Sequence, residues 1–339
     1  LEMIEPMQQR LIDEGIELAL SASLIEITKD EIILASGERV SAGVVIAAAG
    51  VTPDNQLAEA AGLKIGETGG LWVDSQQRTS DPSIFAAGDA VEKHGELTGD
   101  QTLIPLANLA NRHGRLIADA IAGLDVSAHS SIGTIIIGAF GLAAGITGLS
   151  ERAAIRAGMP FKAIHLHPSS HAGYYPGAKR ISLKVIFHSE SGAILGAQAV
   201  GEDGVDKRID VLATAIFAGL KIDDLMDLEL AYAPQFGSAK DAINQAGYVG
   251  NNVFTARTPT VQWHELDESL ASGAVLVDVR TESEHADGHI EGSMNIPVDR
   301  LRETLDSWAG KRVVVHCQVG QRGHTATQIL RGHGIEASN

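Results

Sequence analysis

The sequence predicts a multidomain chain of mixed α/β and α+β class. Two short apolar runs each lead into residues suited to chemistry, as buried strands of α/β sheets do: residues 84–87 precede a Gly-Asp pair, and residues 311–316 precede Cys317. Between them, residues 181–187 alternate like a half-buried strand of an antiparallel sheet. A length of 339 residues is sufficient for two or three domains with their own cores.

Composition excludes several classes of function. A formal net charge of −17 disfavours nucleic acid and anionic membranes as partners. The single cysteine excludes a disulfide framework and a zinc cluster built on cysteines, so we expect no metal site, and it suits a reducing cytoplasm. Residues 132–149 carry no charge, but five glycines interrupt them and their isoleucines favour strands, so we expect a soluble segment.

The first fifty residues predict a helix followed by short strands. We expect the helix over residues 6–14 and strands at residues 16–18, 24–27, 32–34 and 44–47. No Gly-x-Gly-x-x-Gly follows a strand here. Gly50 opens a Gly-Val-Thr-Pro-Asp-Asn turn, which either lets a ligand approach the backbone or is an ordinary turn.

Residues 79–89 predict a strand that ends at a ligand. Gly88 removes the side chain where the strand stops, and Asp89 places a carboxylate at its carboxyl end, where ligands of open α/β sheets bind. Such a carboxylate can accept hydrogen bonds from a sugar or polyol hydroxyl, or it can cap the next helix. That helix is predicted from about Leu106 and Ala107, and its N-terminus offers free N–H groups. Its apolar face is predicted from the helical spacing of Leu106, Ala110, Ile117 and Ile121.

The last segment, residues 260–339, places a thiol at the end of a strand. A helix is predicted over about residues 323–331, and Gly320 and Arg322 lie between the cysteine and that helix. Loop amides, the helix dipole and Arg322 together favour the thiolate of Cys317, which gives a cradle for an anionic sulfur or a small oxyanion. The alternative is a buried structural cysteine.

Residues 79–115 resemble the second flavin-binding motif of the pyridine-nucleotide–disulfide oxidoreductases. The resemblance implies FAD and NAD(P)H as cofactors, with Gly88 and Asp89 at the flavin ribityl chain and Leu106 and Ala107 at the pyrimidine end of the ring. It also implies that Gly50 lies in the crossover near the nicotinamide. Residues 1–49 and 50–125 would then be the C-terminal parts of an NADH-binding and an FAD-binding domain, a partial doubly wound region.

Residues 126–252 predict an antiparallel sheet with helices on one face, with Ser150 as an N-cap and a helix over residues 206–219. Two motifs, residues 171–177 and 231–241, resemble the dimerisation domain of the coenzyme A-disulfide reductase and NADH oxidase branch of that family. The resemblance implies a homodimer in which Tyr174 and Tyr232, with Tyr175 as a near alternative, reach the partner's active site. A phenol there can donate to a thiolate or thioester sulfur; buried core tyrosines are the alternative.

Residues 260–339 resemble the rhodanese domain. Three motifs carry the resemblance: Asp-Val-Arg, Gly-His-Ile-Glu-Gly-Ser-Met-Asn-Ile-Pro and Cys-x-x-Gly-x-Arg. The resemblance implies a persulfide on Cys317, stabilised by Arg322 and the loop amides, with Asp278, Arg280 and His289 in architectural positions. The loop is one residue shorter than that of the related phosphatases, which favours sulfur over phosphate.

Together the resemblances predict a cytoplasmic flavoenzyme that reduces coenzyme A disulfide, persulfide or polysulfide and carries a C-terminal rhodanese domain. The expected upstream glycine fingerprint and final helix are not found, so we expect a piece truncated at both ends that lacks reductase activity by itself and holds FAD weakly. Three alternatives stay open: a water-forming NADH oxidase, a sulfurtransferase on an inert flavoprotein-like scaffold, and a non-enzymatic persulfide carrier.

Overall fold

The computed structural model describes residues 2–339 and divides them into two compact units. The first unit is residues 5–133; the second is residues 134–339 together with residues 2–4. The first contains α1 (Glu5–Asp13), β1 (Leu24–Ile27), β2 (Glu31–Leu34), β3 (Arg39–Ser41), α2 (Gln56–Ala60), β4 (Lys93–His94), β5 (Gln101–Thr102) and α3 (Ala107–Ile121). The second contains β6 (Ile135–Ala139), β7 (Leu142–Gly148), α4 (Glu151–Arg156), β8 (Phe161–Leu166), β9 (Ile181–His188), β10 (Ile194–Gly201), α5 (Val205–Phe217), α6 (Ala242–Phe254), α7 (Leu266–Ala271), β11 (Val275–Asp278), α8 (Glu282–Asp287), β12 (Met294–Asn295), β13 (Arg312–His316), α9 (Gln321–Gly332) and β14 (Glu336–Ser338).

Both sheets of the first unit are antiparallel: β1–β2–β3 and the pair β4–β5. The strand predicted at residues 84–87 is wrong, because that run forms only one bridge, between Phe85 and Arg78. The strands predicted at residues 16–18 and 44–47 are also absent from the described chain. An apolar run becomes a strand only where a neighbouring segment pairs with it over several residues. Residues 84–87 pair only briefly with residues 77–79: the Thr79 amide donates to the Ile84 carbonyl and the Ala86 amide to the Gln77 carbonyl.

Helix α3 begins at Ala107, as the sequence predicts, with Leu106 as an extended N-cap residue. Its buried positions are Leu109, His113 and Ala120, whereas Ile121 is 67% exposed. The predicted apolar stripe is therefore displaced around the helix. The reason is that a histidine belongs to the contact face, which an apolar pattern cannot reveal.

The dimerisation-like part of the second unit is a five-stranded antiparallel sheet in the order β6–β7–β10–β9–β8. Helix α5 packs on it through the buried side chains of Ile209 and Leu212. Gly196 lies so close to the chain after β7 that a Cβ atom there would be 2.1 Å from the Leu149 carbonyl oxygen. Ser150 caps α4 by accepting a hydrogen bond from the Ala153 amide. The uncharged run at residues 132–149 forms the β6–β7 hairpin, and none of the helices within residues 2–339 has the length and apolar character needed to cross a membrane.

The rest of the second unit is a parallel sheet in the order β12–β11–β13–β14, covered by α9. Its core includes Val277, Val315 and Leu330, all fully buried. In the register of β11 and β13, Asp278 lies beside His316, so the carboxyl ends of the two strands meet at one edge. Cys317 follows directly at that edge. The mixed α/β and α+β class predicted from the sequence is confirmed.

The segment between these two parts of the second unit is fastened along its length. Thr258 is 3% exposed, and its hydroxyl lies 3.0 Å from His324 Nδ1 on α9. The amide of Val261 donates to the Asn339 carbonyl, and the Asn339 amide donates to the Pro259 carbonyl. This segment is therefore a hydrogen-bonded part of the fold.

Candidate functional site

The loop between β13 and α9 wraps its backbone amides around the sulfur of Cys317. The amide of Gly320 donates to Sγ at 3.2 Å and the amide of Gly323 at 3.4 Å. Gly320 makes this possible because its φ of +89° lies in the left-handed region that side-chain-bearing residues avoid. Two converging N–H donors stabilise negative charge on the sulfur. The cysteine is half-buried and packs against the core of the parallel sheet.

Arg322 forms an ion pair with Glu284 and also interacts electrostatically with Cys317. Its two terminal nitrogens donate to the two carboxylate oxygens of Glu284, each at 2.7 Å. These hydrogen bonds hold the pKa of Arg322 above its usual range, and the Cys317 side chain adds a smaller contribution. Arg322 thus anchors the loop through its guanidinium fork and places positive charge near the sulfur.

Glu284 is a functional residue that the sequence reasoning missed. It sits in the first turn of α8, where Thr281 accepts a hydrogen bond from its amide and the Glu284 carboxylate accepts one from the Thr281 amide. This reciprocal arrangement is a capping box, which the Thr-x-x-Glu spacing signals in the sequence. The pairing with Arg322, followed by the Thr281 hydrogen bonds, holds the pKa of Glu284 well below its usual range.

Asp278 organises the strand end beside the cysteine loop. Burial alone raises the pKa of this carboxyl, but hydrogen bonds from Arg280 and His285 outweigh it and leave the pKa well below its usual range. Arg280 donates to both carboxylate oxygens at 2.7–3.0 Å, and His285 Nδ1 lies 3.0 Å from Oδ2. His289 stacks on His285, with ring centroids 4.0 Å apart. Asp278 and Arg280 contact each other, Arg280 also donates to the Gly288 carbonyl, and the contacts of His289 run to His285. The architectural role of these residues stays a prediction.

The two tyrosines selected from the sequence meet at the protein surface. The hydroxyl oxygens of Tyr174 and Tyr232 lie 3.2 Å apart. The hydrogen bond between them, with a smaller effect of burial, raises the pKa of Tyr232. Tyr174 is 78% exposed, which rules out the alternative of a buried core tyrosine for that residue. Tyr175 lies apart from this pair and packs edge-on against His171, with ring centroids 5.9 Å apart.

A buried arginine holds the two tyrosine-bearing loops together. Arg208, on α5, is 1% exposed and donates through Nη2 to both the Ser170 carbonyl and Asp241 Oδ2 at 2.7 Å. Ser170 precedes one tyrosine motif and Asp241 ends the other. The amide of Ala172 also donates to the Gly237 carbonyl at 3.0 Å. No sequence pattern indicates this role, since a Lys-Arg pair on a helix is usually solvated.

In the first unit, the Gly88-Asp89 turn lies against the start of α3. Gly88 has a φ of +82°, and its Cβ position would be 3.6 Å from the Ala110 methyl group. No side chain caps α3 at Leu106, so the amides of Ala107 and Asn108 are free donors within the described residues, whereas the Leu109 amide donates to the Leu106 carbonyl and to Asn108 Oδ1. A carboxylate acceptor beside free N–H donors fits the ribityl hydroxyls and pyrimidine edge of a flavin. Gly50, with a φ of +93°, has no described atom within 4 Å of its Cβ position.

Lys93 is a third residue that the sequence reasoning missed. It is 5% exposed, and its ammonium donates to the carbonyls of Gly88 at 2.7 Å and Val91 at 3.0 Å. Burial lowers its pKa, and the Asp89 charge partly offsets that effect. Lys93 therefore holds the Gly-Asp turn from inside the unit. Within residues 2–339, no group of three or more His, Cys, Asp or Glu side chains is arranged to hold a metal ion.

Three consecutive segments of the chain match known protein families. The pyridine nucleotide-disulphide oxidoreductase family matches residues 1–114, its dimerisation domain matches residues 137–243, and the rhodanese-like domain matches residues 262–338. The chain is 36% identical over 213 residues to an "NAD(P)H sulfur oxidoreductase (CoA-dependent)" of Pyrococcus furiosus, a match covering 63% of this chain and 48% of that protein. It thus spans about half the length of the curated relatives it matches.

Two solved structures are similar throughout the chain. The reduced CoADR-RHD of Bacillus anthracis superposes with a TM-score of 0.97 at 41% identity, covering 100% of this chain and 61% of that one. An NAD-dependent persulfide reductase from A. fulgidus superposes with a TM-score of 0.91 at 37% identity, covering 99% of this chain and 62% of that one.

Proposed function

Because the chain belongs to the pyridine nucleotide-disulphide oxidoreductase family and carries a rhodanese-like domain, we propose that the protein reduces coenzyme A disulfide, persulfide or polysulfide with NAD(P)H and moves sulfane sulfur on Cys317. The observation that carries the proposal is the pair of amide donors, from Gly320 and Gly323, that converge on the Cys317 sulfur. The names of the similar proteins, which include coenzyme A-dependent sulfur and persulfide reductases, support the substrate class.

The geometry of the cysteine loop supports the following sulfur-transfer step. The Cys317 thiolate attacks the terminal sulfur of a donor persulfide, R–S–SH. The S–S bond of the donor breaks, R–S⁻ leaves, and Cys317 becomes a persulfide, with no net oxidation or reduction. The Gly320 and Gly323 amides stabilise the thiolate before transfer, and Arg322 offers positive charge to the terminal sulfur afterwards.

On the flavin side, Gly88 and Asp89 would hold the ribityl chain. The start of α3, at Leu106 and Ala107, would present its backbone amides to the pyrimidine edge. FAD supplies hydride acceptance from NAD(P)H and electron transfer to a disulfide. Gly50 would let the backbone pass the nicotinamide. In a homodimer, Tyr174 and Tyr232 would donate hydrogen bonds to a sulfur in the partner's active site. A cytoplasmic location would suit the single cysteine, because thiols stay reduced there.

Mass spectrometry of the full chain tests the sulfur-transfer part. After incubation with coenzyme A persulfide, we expect one added sulfur atom on Cys317, removable by a thiol and missing in Cys317→Ala. In the full-length enzyme, we expect Cys317→Ala to lower NAD(P)H consumption with the persulfide and to leave the rate with coenzyme A disulfide unchanged. Wild-type chain that stays unmodified would refute the assignment of Cys317.

A further inference from the structure

Two loops of the second unit carry Tyr174 and Tyr232, and we name them the first tyrosine loop, residues 167–180, and the second tyrosine loop, residues 228–241. Neither contains a helix or a strand. The two tyrosine side chains are exposed, at 78% and 49%, so packing around the rings does not fix them. Their hydroxyl oxygens nevertheless lie 3.2 Å apart. That separation therefore depends on what fastens one loop to the other.

The side chain of Arg208 fastens the two loops to each other. Its Nη2 donates to the Ser170 carbonyl of the first loop at 2.7 Å. Nη2 and Nε also donate to the two carboxylate oxygens of Asp241, at the end of the second loop, at 2.7 and 3.3 Å. The amide of Ala172 links the loops as well, through the Gly237 carbonyl at 3.0 Å, but a single donor does not fix the angle between two segments. The planar guanidinium adds that constraint, because it holds acceptors from both loops in one fork.

The surroundings of Arg208 are shaped for its guanidinium. Gly204 precedes α5, and a Cβ atom there would lie 2.3 Å from Nη1, which instead donates to the Gly204 carbonyl at 3.2 Å. Asp241 is 3% exposed, so the ion pair is buried on both sides. An apolar pair of similar volume is often as stable as a buried ion pair, because desolvation offsets the attraction between the charges. The geometry that the pair imposes on the loops therefore explains it better than stability does.

Asp241 is itself fixed at the start of α6. Its Oδ1 accepts a hydrogen bond from the Ile243 amide at 3.1 Å, and Asn244 completes a capping box by accepting one from the Asp241 amide. The side-chain amide of Asn244 also donates to the Leu228 carbonyl at 2.9 Å, where the second loop begins. Both ends of the second loop are thus attached to α6, and the guanidinium attaches them to the first loop.

We propose that Arg208 is a positioning residue for the disulfide-reducing step, because its single guanidinium joins the two tyrosine loops and so keeps the hydroxyls of Tyr174 and Tyr232 within hydrogen-bond distance of each other. The proposal rests on the function proposed above and deepens it by naming the residue that aligns the two tyrosines. Arg208 is 1% exposed, so it acts through the loops and does not touch a substrate.

The first test is the phenolate titration of Tyr232 in the full chain, read by ultraviolet absorbance as the difference between each protein and the same protein carrying Tyr232→Phe. Arg208→Lys keeps a positive charge beside Asp241 but loses the fork. Because the hydrogen bond with Tyr174 raises the pKa of Tyr232, we expect this variant to titrate at lower pH, toward the position seen in Tyr174→Phe. Adding Arg208→Lys to Tyr174→Phe should cause no further shift, which a general loosening of the fold would not reproduce. The control is Lys207→Gln: Lys207 lies 3.8 Å from Asp241 and contacts the second loop, so its loss should leave the titration in place.

The second test is the steady-state rate of the full-length enzyme with coenzyme A disulfide. We expect Arg208→Lys to lower kcat about tenfold with the KM for NAD(P)H unchanged, and Arg208→Lys/Tyr174→Phe to be no slower than Tyr174→Phe. Asp241→Asn, which keeps an oxygen to cap α6, should give the same pattern and serves where Arg208→Lys does not fold. An unchanged Tyr232 titration would overturn the positioning role. A shifted titration with an unchanged disulfide rate would instead refute the part that the tyrosines play in the proposed function.

Discussion

Arg322 and Glu284 join the cysteine loop to helix α8 through two parallel hydrogen bonds of 2.7 Å. Each of the two side chains is about one-third exposed, so solvent screening weakens the attraction between their charges. The two parallel hydrogen bonds nevertheless fix the orientation of the side chains as well as their distance. Because Glu284 is also held by the capping box at Thr281, the loop is tied to the start of a helix. The cysteine cradle is thus supported from outside the loop.

We predict that Arg322→Gln and Glu284→Gln slow sulfur transfer to Cys317 and that the two effects are not additive. A double-mutant cycle on transfer rate and on unfolding free energy should show a coupling between the two positions, since the pair is bidentate and fixed in orientation. The control pair is Arg300 and Glu282, which are mostly exposed and 3.2 Å apart, and should show almost no coupling. Additive effects at Arg322 and Glu284 would show that the loop does not depend on their contact.

Gly320 should be intolerant of any side chain. A Cβ atom there meets only ordinary contact, with Asn339 at 3.8 Å, so the cost of Gly320→Ala is the strain of its left-handed backbone, about 1 kcal/mol. Relief of that strain would turn the amide away from Cys317, and we expect at least about tenfold slower persulfide formation from the loss of about 1.4 kcal/mol of stabilisation. Gly219→Ala is the control: it has a φ of +68° and open space around it. It should lose similar stability but keep the transfer rate.

The tyrosine pair can be tested without substrate. In wild type, the hydrogen bond with Tyr174 raises the pKa of Tyr232, so its phenolate should form at higher pH than that of an ordinary tyrosine. Tyr174→Phe should move that titration to lower pH, as followed by ultraviolet absorbance of the phenolate. Tyr248→Phe removes a tyrosine outside the pair and should leave the titration of Tyr232 in place. An unchanged Tyr232 titration in Tyr174→Phe would contradict the contact.

Asp278 gives a prediction about pH. Its pKa is lowered in the folded protein, so its contribution to stability is present above the ordinary pKa of about 4 and is lost as pH falls further. Asp278→Asn leaves Arg280 without its buried partner, and we expect about 3 kcal/mol of destabilisation at pH 7. Urea unfolding at a series of pH values should show this difference shrinking below pH 4. A difference that is constant down to pH 2.5 would mean that packing, not charge, accounts for it.

The sequence was informative where local pattern decides the structure. Cys317 does follow a strand and precede a helix, and residues 181–187 do form an antiparallel strand, although the structure buries both faces of that strand and not one, as predicted. It failed at residues 84–87, because an apolar run does not reveal whether a neighbouring strand is there to pair with it. It also could not find Arg208, since the burial of a charged side chain is decided by Asp241, which lies 33 residues away in the chain.

The fastening of residues 257–261 constrains how sulfur can be delivered. A loose tether would let the thiol search a volume set by tether length, giving it an effective concentration at any acceptor within reach. Here Thr258 is pinned to His324 and Pro259 to Asn339, so the thiol cannot search in that way. Delivery from Cys317 should therefore be second order in a diffusing carrier, rising with carrier concentration and insensitive to insertions of glycine elsewhere in the exposed loops.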